Sequence, residues 1–282
     1  MNFRILPEQL VFLATISPMN PPGLHIRNVA LTRYVTPLRE GGSLPAIMEA
    51  DDGFMYVVKF RGAGQGTKAL IAELIGGEIT RFLGFKVPEI VFAYLDEGFG
   101  RTEGDEEIQD LLKFSTGLNL GVHYLSGAIS FDPAVNSVDP ITASGIVWLD
   151  AYLMNVDRTA RNTNMLTWYK DLWLIDHGAS LYFHHNWESR ERTIQSNFPQ
   201  IKDHVLLPWA TEIDKANEEF TQKLNSEFLH SLTSVIPSEF LSGEDDVKGE
   251  NKRGLYLNFL TERLKAADKF VTAIKDARKG II

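Results

Sequence analysis

A short polar segment followed by a hydrophobic hairpin constrains the fold of this chain more than any other feature. The polar segment, residues 155–162, carries Asp157 and ends five residues later at Asn162. Two largely apolar runs lie within residues 164–175, on either side of a short polar turn, which is the pattern of a β-hairpin. The second run leads into Asp176, nineteen residues beyond Asp157. Because a hairpin returns the chain towards its start, we expect both aspartates at one end of it.

These three polar side chains have the chemistry that phosphoryl transfer requires. The carboxylate of Asp157 can orient an acceptor hydroxyl and take its proton. The amide oxygen of Asn162 and the carboxylate of Asp176 can hold Mg²⁺ beside nucleotide phosphates, because this cation prefers oxygen ligands. Asp and Asn are also common turn residues, so the pair Asp157 and Asn162 alone is equally consistent with a surface turn. The hairpin ending in Ile-Asp-His-Gly favours the catalytic interpretation.

The composition limits the kinds of site that the chain can build. It has 282 residues, 44% of them hydrophobic, which is enough for one large or two modest domains with a full core. There are no cysteines, which excludes disulfides, thiolate zinc sites and thiol catalysis. The net charge of -9 repels phosphate backbones, so we expect no direct nucleic-acid binding. No apolar run is long enough to span a membrane, and we expect a cytoplasmic protein.

A lysine and a glutamate upstream extend the phosphoryl-transfer set. Lys59 lies in the predicted strand 54–60, from which an ammonium group can reach the α- and β-phosphates of a nucleotide. A lysine in an apolar strand more often snorkels from a sheet edge. The helix predicted at residues 68–83 places Glu73 fourteen residues after Lys59, where it can hold the lysine. Glu78 is the rival, and Glu73 is preferred because it is centred in the apolar run.

Three further features have less specific interpretations. Residues 61–68 are glycine-rich, but they miss both the dinucleotide-binding and the Walker pattern by one position, so we interpret them as a flexible linker. Gly76 and Gly77 are expected to weaken the middle of the predicted helix. His184 and His185 are adjacent and point different ways in a helix or a strand, so we expect no zinc site there.

The remaining elements predict strands before helices, and therefore an α+β fold. The acidic stretch 96–110 is expected to be a solvated excursion. The other predicted strands are residues 24–35, 46–50, 85–95 and one within 114–130, and the predicted helical segments are 146–154, 211–235 and 252–278.

The chain resembles the HipA-like kinases, bacterial relatives of the protein-kinase fold. The resemblance covers about residues 24–209 and is most specific in YVVK, NVDRTARN and LIDHG, which contain Lys59, Asp157, Asn162 and Asp176. It implies a two-lobed, protein-kinase-like fold of the α+β class. The expected division is a small β-rich N-lobe at residues 1–126 and a larger helical C-lobe at residues 127–282.

The resemblance also implies an ATP- and Mg²⁺-dependent serine/threonine protein kinase. Transferred to this chain, the family's roles make Asp157 the catalytic base, Asn162 and Asp176 the metal ligands, and Lys59 the phosphate-binding lysine. An unidentified protein substrate and an antitoxin-type partner are expected by the same resemblance. A small-molecule phosphotransferase of the same fold and a nucleotide-binding pseudokinase that acts as an interaction module stay open as alternatives.

A glycine-containing loop is the last feature that the resemblance assigns. In the family this loop often carries a serine that becomes autophosphorylated, and Gly41, Gly42 and Ser43 stand in the matching place. The chain departs from the pattern at His177, where eukaryotic kinases usually have phenylalanine. We also expect it to lack the additional amino-terminal domain of the longer toxin kinases, which bears on its substrate rather than on its nucleotide chemistry.

Overall fold

The computed structural model describes residues 24–38, 44–102, 104–242 and 249–281. Gly41, Gly42 and Ser43, which the resemblance assigns to the phosphate-covering loop, lie outside these ranges.

The N-terminal part contains a closed five-stranded barrel. Around the barrel the strands are β1 (Asn28–Pro37), β2 (Ala46–Ala50), β3 (Met55–Lys59), β5 (Gly117–His123) and β4 (Ile90–Leu95). Neighbouring strands are antiparallel, except that β1 pairs in parallel with β4 and so closes the barrel. The strands predicted at residues 46–50 and 54–60 are confirmed as β2 and β3, which pair antiparallel, and Lys59 ends the second strand.

A short helix packs against the apolar side chains of the barrel interior. Helix α2 (Glu106–Phe114) contributes Ile108 and Leu112 to the hydrophobic cluster formed by the inward-facing strand residues. Asp105 begins the helix as its N-cap, accepting a hydrogen bond from a backbone N–H of the first turn at 3.0 Å. The expectation that residues 96–110 form only a solvated excursion was therefore wrong, because two apolar side chains four residues apart give the helix a buried face.

Helix α1 (Gly66–Leu83) lies on the outside of the barrel and is continuous through its two central glycines. A Cβ atom added to Gly76 would lie 2.5 Å from the Cβ of His177, and one added to Gly77 would lie 2.3 Å from Cδ1 of Ile90. These glycines therefore permit close packing on both sides of the helix, which offsets the helix propensity that they lack.

The C-terminal part is largely helical and is built around α3 (Pro140–Leu153), whose residues from Ala143 onward are all buried. Asp139 caps its N-terminus, accepting hydrogen bonds from the backbone N–H groups of Ile141 and Thr142. The surrounding helices are α4 (Arg190–Ile194), α5 (Ile213–Lys223), α6 (Ser226–Ser234), α7 (Ser238–Leu241), α8 (Gly249–Lys265) and α9 (Ala267–Lys279).

Two of the predicted long helices are each divided in the structure. The segment 211–235 breaks where Asn225 caps α6 by accepting a hydrogen bond from the backbone N–H of Phe228 at 2.8 Å. The segment 252–278 breaks at Ala266, between α8 and α9. The first break lets α5 pack on α3 while α6 packs on α8 and α1, and the second lets both α8 and α9 contact α3.

A small second sheet carries the hairpin that follows the polar segment. Its strands are β6 (Ile129–Ser130), β7 (Met165–Trp168) and β8 (Asp171–Leu174), with β7 in the middle. The turn residues Tyr169 and Lys170 both have positive φ, 48° and 68°, as a two-residue hairpin turn of the primed type requires. The predicted strand, turn and strand are thus confirmed.

Helix α1 is held from both sides. A single hydrophobic cluster joins α1 and the outer barrel face to the C-terminal helices. Phe82 of α1 stacks on Phe228 of α6 with ring centroids 3.7 Å apart, and Lys223 donates a hydrogen bond to the backbone oxygen of Leu83 at 2.9 Å. Of the helices within the described ranges, none has the length and apolarity needed to cross a membrane.

Candidate active site

Three charged residues from distant parts of the sequence meet between β3, α1 and the loop after β8. Lys59 Nζ donates hydrogen bonds to Glu73 Oε2 at 2.7 Å and to Asp176 Oδ1 at 2.5 Å. We call these three residues the Lys59 cluster. The alternative glutamate, Glu78, lies 3.3 Å from Arg81 on the same helix instead. The structure thus places Glu73, and not Glu78, against the lysine.

The Lys59 cluster is open on the side of Asp176. The side chain of Asp176 is 48% exposed, against 15% for Lys59 and 2% for Glu73. The ammonium of Lys59 holds the pKa of Asp176 below its usual range, although burial acts in the opposite direction. Burial lowers the pKa of Lys59, but the carboxylates of Asp176 and Glu73 outweigh it, so the pKa of Lys59 is raised. Lys59 and Asp176 are therefore charged at neutral pH, and the carboxylate of Asp176 faces solvent.

The loop after β8 is tied to helix α1 at two points. Glu73 Oε2 accepts a hydrogen bond from the backbone N–H of His177 at 2.7 Å. The ring nitrogen Nε2 of His177 lies 3.1 Å from Oγ1 of Thr80, whose hydroxyl already donates to the backbone oxygen of Gly76 at 2.6 Å. Nε2 must therefore carry the proton and donate. Burial lowers the pKa of His177 to about 3, so its ring is neutral.

The polar segment forms a loop in which amide groups orient one carboxylate. Asp157 Oδ2 accepts hydrogen bonds from Asn162 Nδ2 at 2.7 Å and from Asn164 Nδ2 at 3.2 Å. Because a carboxylate only accepts, the nitrogen of the Asn162 amide must face Asp157, and its oxygen is left for another ligand. The backbone N–H of Asp157 donates to Asn155 Oδ1 at 3.1 Å, which fixes the start of the loop.

The two acidic loops are directly joined. The backbone N–H of Ile175, which precedes Asp176, donates to the backbone oxygen of Asn164 at 3.0 Å. Asn164 also contacts Asp157 through its side chain, so one residue links both loops. Asn164 and Asp176 have φ values of 47° and 55°, a strained region for residues other than glycine. Such strain persists only where the surroundings impose it, and it is concentrated at functional sites.

The donors present fit a magnesium ion. Asp176 offers a partly exposed carboxylate and Asn162 an amide oxygen, and both are hard oxygen donors. Mg²⁺ in such sites takes one or two protein carboxylates and completes its octahedron with water and phosphate oxygens. Within the described ranges no group of three or more histidine, aspartate or glutamate side chains is placed to hold a metal. A small oxygen donor set is therefore the arrangement that the chain offers.

The glycine-rich segment 61–68 has a more defined structure than a flexible linker. The backbone N–H of Arg61 donates to Asn119 Oδ1 at 2.9 Å, and that of Gly62 donates to Ser115 Oγ at 3.2 Å. A Cβ atom on Gly62 would lie 2.8 Å from the backbone of Phe114. The segment is therefore anchored beside β5 before α1 begins at Gly66.

A family model and a solved structure identify the kind of protein that carries this site. The model described as HipA-like kinase matches residues 31–272. The chain belongs to the HipA-like kinase family. The resemblance drawn from YVVK, NVDRTARN and LIDHG is thereby confirmed, and a kinase-type phosphotransferase is supported.

The structural comparison shows the fold. The crystal structure of a Helicobacter pylori proinflammatory kinase, CtkA, aligns with a TM-score of 0.53 and 12% sequence identity, covering 92% of this chain and 100% of that one. At this identity the likeness concerns the fold alone: a mixed α+β structure with a β-rich N-terminal part and a helical C-terminal part. The comparison with curated proteins found no match.

Sequence reasoning missed the residues that support the site from behind. Asp150, Arg158 and His204 form a buried polar cluster at the polar segment 155–162, and Thr80 contacts the ring of His177. One signal was present, because Asp150 interrupts an otherwise apolar helix. No comparable sequence pattern points to Thr80 or His204.

Proposed function

We propose that this HipA-like kinase transfers the γ-phosphoryl group of ATP to a hydroxyl group in the presence of Mg²⁺. We further propose that the acceptor is a serine or threonine of a protein, and that the fold has two lobes divided near residue 126. The family supports the kinase class, and the donor geometry supports the nucleotide and the cation.

One observation carries the proposal. Lys59 contacts Glu73 and Asp176 at once, although Asp176 lies 117 residues away in sequence. Asp176 is joined through the backbone of Ile175 and Asn164 to the loop that presents Asp157. A surface salt bridge has no need of such convergence, whereas phosphoryl transfer depends on positioning these groups around one triphosphate.

The proposed division of roles follows from the contacts. Lys59, held by Glu73, would bind phosphate oxygens of the nucleotide. Asp176 and Asn162 would hold Mg²⁺, whose charge would neutralise the phosphates when bound. Asp157 would orient the acceptor hydroxyl and take its proton. Both amides that bind Asp157 donate to Oδ2, which leaves Oδ1 to meet the acceptor.

The central experiment measures phosphate transfer from ATP with and without Mg²⁺. Wild type is compared with Asp157→Asn, which keeps the shape of the side chain but cannot take a proton. Asp110→Asn, an exposed change on α2, is the matched control. We expect Asp157→Asn to lower turnover by about 10²–10⁴-fold while ATP binding is retained, and the control to match wild type.

Two outcomes would change the proposal. If wild type and Asp157→Asn bind ATP equally and neither transfers phosphate, the protein is a nucleotide-binding module and not an active kinase. If phosphate is transferred, mass spectrometry of the protein and of co-incubated lysate proteins distinguishes the acceptors. Phosphate on Ser43 or on lysate proteins, absent with Asp157→Asn, supports a protein kinase, and label found only on small molecules supports the alternative.

A further inference from the structure

A second charged cluster is buried at the polar segment 155–162. Asp150, Arg158 and His204 are 0%, 1% and 6% exposed, and we call them the Asp150 cluster. Asp150 Oδ2 accepts hydrogen bonds from Arg158 Nε at 2.5 Å and from His204 Nε2 at 2.9 Å. Its other oxygen, Oδ1, accepts one from Asn155 Nδ2 at 3.0 Å. Both oxygens of one buried carboxylate are therefore committed to the loop and its surroundings.

The contacts determine the protonation of the histidine. His204 Nδ1 accepts a hydrogen bond from the backbone N–H of Leu206 at 3.0 Å, so the ring proton is on Nε2 and is donated to Asp150. Burial lowers the pKa of His204, which keeps the ring neutral. Burial would raise the pKa of Asp150, but Arg158 and His204 outweigh it and hold that pKa well below its usual range. The cluster thus contains one cation, one anion and one neutral donor.

Arg158 connects this cluster to both acidic loops of the site. Its Nη1 donates to the backbone oxygen of Asn164 and, at 3.5 Å, to that of Ile175. Asn164 contacts Asp157 through its side chain, and Ile175 directly precedes Asp176. A single planar guanidinium with a fixed fork therefore touches the chain next to each catalytic carboxylate.

The arrangement is better suited to holding a geometry than to stabilising the fold. Nη2 of Arg158 is buried and has no hydrogen-bond partner among the described residues, which carries an energetic cost. Met154, Asn164 and Asp176, which surround the two loops, all have left-handed φ values of 58°, 47° and 55°. A backbone in these conformations needs outside contacts to keep its shape.

We propose that the Asp150 cluster sets the separation between Asp157 and Asp176, and that Asp150 and His204 are positioning residues for phosphoryl transfer. This inference rests on the proposed function of the site. Neither side chain touches the reacting groups. Asp150 acts through Arg158 and Asn155, and His204 acts through Asp150. Small displacements of a positioned group lower turnover steeply, so a weakened anchor has a measurable effect.

A matched pair of variants isolates the donor that His204 gives to Asp150. His204→Gln retains an amide N–H in the place of Nε2, whereas His204→Leu removes it. Both variants lose the acceptor for the backbone N–H of Leu206, so that loss cancels in the comparison. His204→Leu also leaves the pair of Asp150 and Arg158 intact, so no buried charge is left alone.

The measurements are phosphate turnover at saturating ATP, the Mg²⁺ concentration that gives half-maximal turnover, and Mg²⁺-dependent binding of a non-hydrolysable ATP analogue. For His204→Leu we expect turnover to fall and half-saturating Mg²⁺ to rise by about 10–100-fold, as for other changes behind a metal site. We expect His204→Gln to stay within about threefold of wild type, and one analogue to bind per molecule in each protein. A role in stability alone would lower the amount of folded protein and leave half-saturating Mg²⁺ unchanged.

A second variant applies if His204→Leu does not fold. Arg158→Lys keeps a cation beside Asp150 but lacks the fork that reaches Asn164 and Ile175, and we expect the same shift in Mg²⁺ dependence. Equal turnover and equal Mg²⁺ dependence of the Leu and Gln variants, with an active wild type, would overturn the positioning role and leave the proposed function standing. An inactive wild type that binds the analogue refutes the kinase proposal, and the binding assay then still tests whether the cluster positions Asp176. A wild type that neither transfers phosphate nor binds the analogue overturns both.

Discussion

The Lys59 cluster and the Asp150 cluster are both built on an aspartate shared between charged or polar partners, but they differ in what they leave available. In the Lys59 cluster, Asp176 is 48% exposed. In the Asp150 cluster, the side chains of Asp150 and Arg158 are 0% exposed and both carboxylate oxygens are used. The first arrangement leaves a carboxylate partly exposed to solvent, and the second leaves its carboxylate fully buried.

The difference follows from position in the fold. The Lys59 cluster forms where β3, α1 and the loop after β8 meet, so its members come from three separate elements, and the one on the loop is partly exposed. The Asp150 cluster is confined to α3, the polar segment 155–162 and residues 204–206, all within the C-terminal part. Similar ion pairs thus lie at a partly exposed junction between elements in one cluster and inside the C-terminal part in the other.

The largest effect on stability is expected from breaking the Asp150 cluster. Asp150→Ala leaves the buried guanidinium of Arg158 without its carboxylate, and we expect the free energy of unfolding to fall by about 3–5 kcal/mol. Urea unfolding followed by circular dichroism measures it. Asp110→Asn is the surface control, with a change within about 0.5 kcal/mol. If Asp150→Ala lowered the free energy of unfolding as little as the control does, Asp150 and Arg158 would not form a buried ion pair.

The corresponding change in the Lys59 cluster removes its cation. We expect Lys59→Met to lower phosphate transfer by about 10²–10³-fold, or roughly 2.7–4 kcal/mol, because one positioned charge at the phosphates is lost. Its stability loss should be smaller than that of Asp150→Ala, since Glu73 keeps the backbone donor of His177 and Asp176 is partly hydrated. Lys86→Met, in an exposed pair with Asp171, is the control and should retain full transfer. A Lys59→Met protein with wild-type transfer would remove the Lys59 cluster from the mechanism.

A methyl group added to α1 tests how far the Lys59 cluster depends on the packing of this helix. Gly76→Ala places a Cβ atom 2.5 Å from that of His177, and we expect a stability loss of about 1–3 kcal/mol and reduced transfer. The matched control is Gly254→Ala in α8, where nothing lies within 4 Å. There the better helix propensity of alanine should stabilise the protein by up to about 1 kcal/mol. Stabilisation by both changes would show that the contact between His177 and Gly76 is dispensable.

The smallest effect is a pH dependence carried by His204. Burial lowers its pKa in the folded protein, so between that value and about 6.5 the unfolded chain binds a proton that the folded chain does not. Stability from this group therefore falls as the pH drops below about 6.5, by at most about 1.4 kcal/mol per pH unit. Unfolding curves at several pH values should show a shallower slope for His204→Gln than for wild type. Parallel slopes would mean that His204 is charged in the folded protein, and the Asp150 cluster would then carry a net positive charge.

Local patterns predicted much of the fold. Strand β2 and the hairpin of β7 and β8 lie where alternating or apolar runs and turn residues predict them, because the determinants are contiguous in sequence. The breaks at Asn225 and Ala266 were missed because apolar residues recur on both sides of them, and the turns depend on which helices the two halves pack against. Helix α2 was missed for a related reason, since acidic residues outnumber its two buried apolar ones.

The amino-acid sequence by itself determined the polar inventory of the site: the spacing of Asp157 and Asn162 in one loop, and a lysine strand followed by a helix that carries Glu73. Only the tertiary structure decided that Glu73 rather than Glu78 holds Lys59, that Gly76 accommodates His177, and that Asp150 and His204 anchor the loops through Arg158. The physical reason is distance along the chain. Periodicity and turn chemistry act over a few residues, whereas the packed core brings together Asp150 with His204, Gly76 with His177 and Lys59 with Asp176. These pairs lie 54 to 117 positions apart.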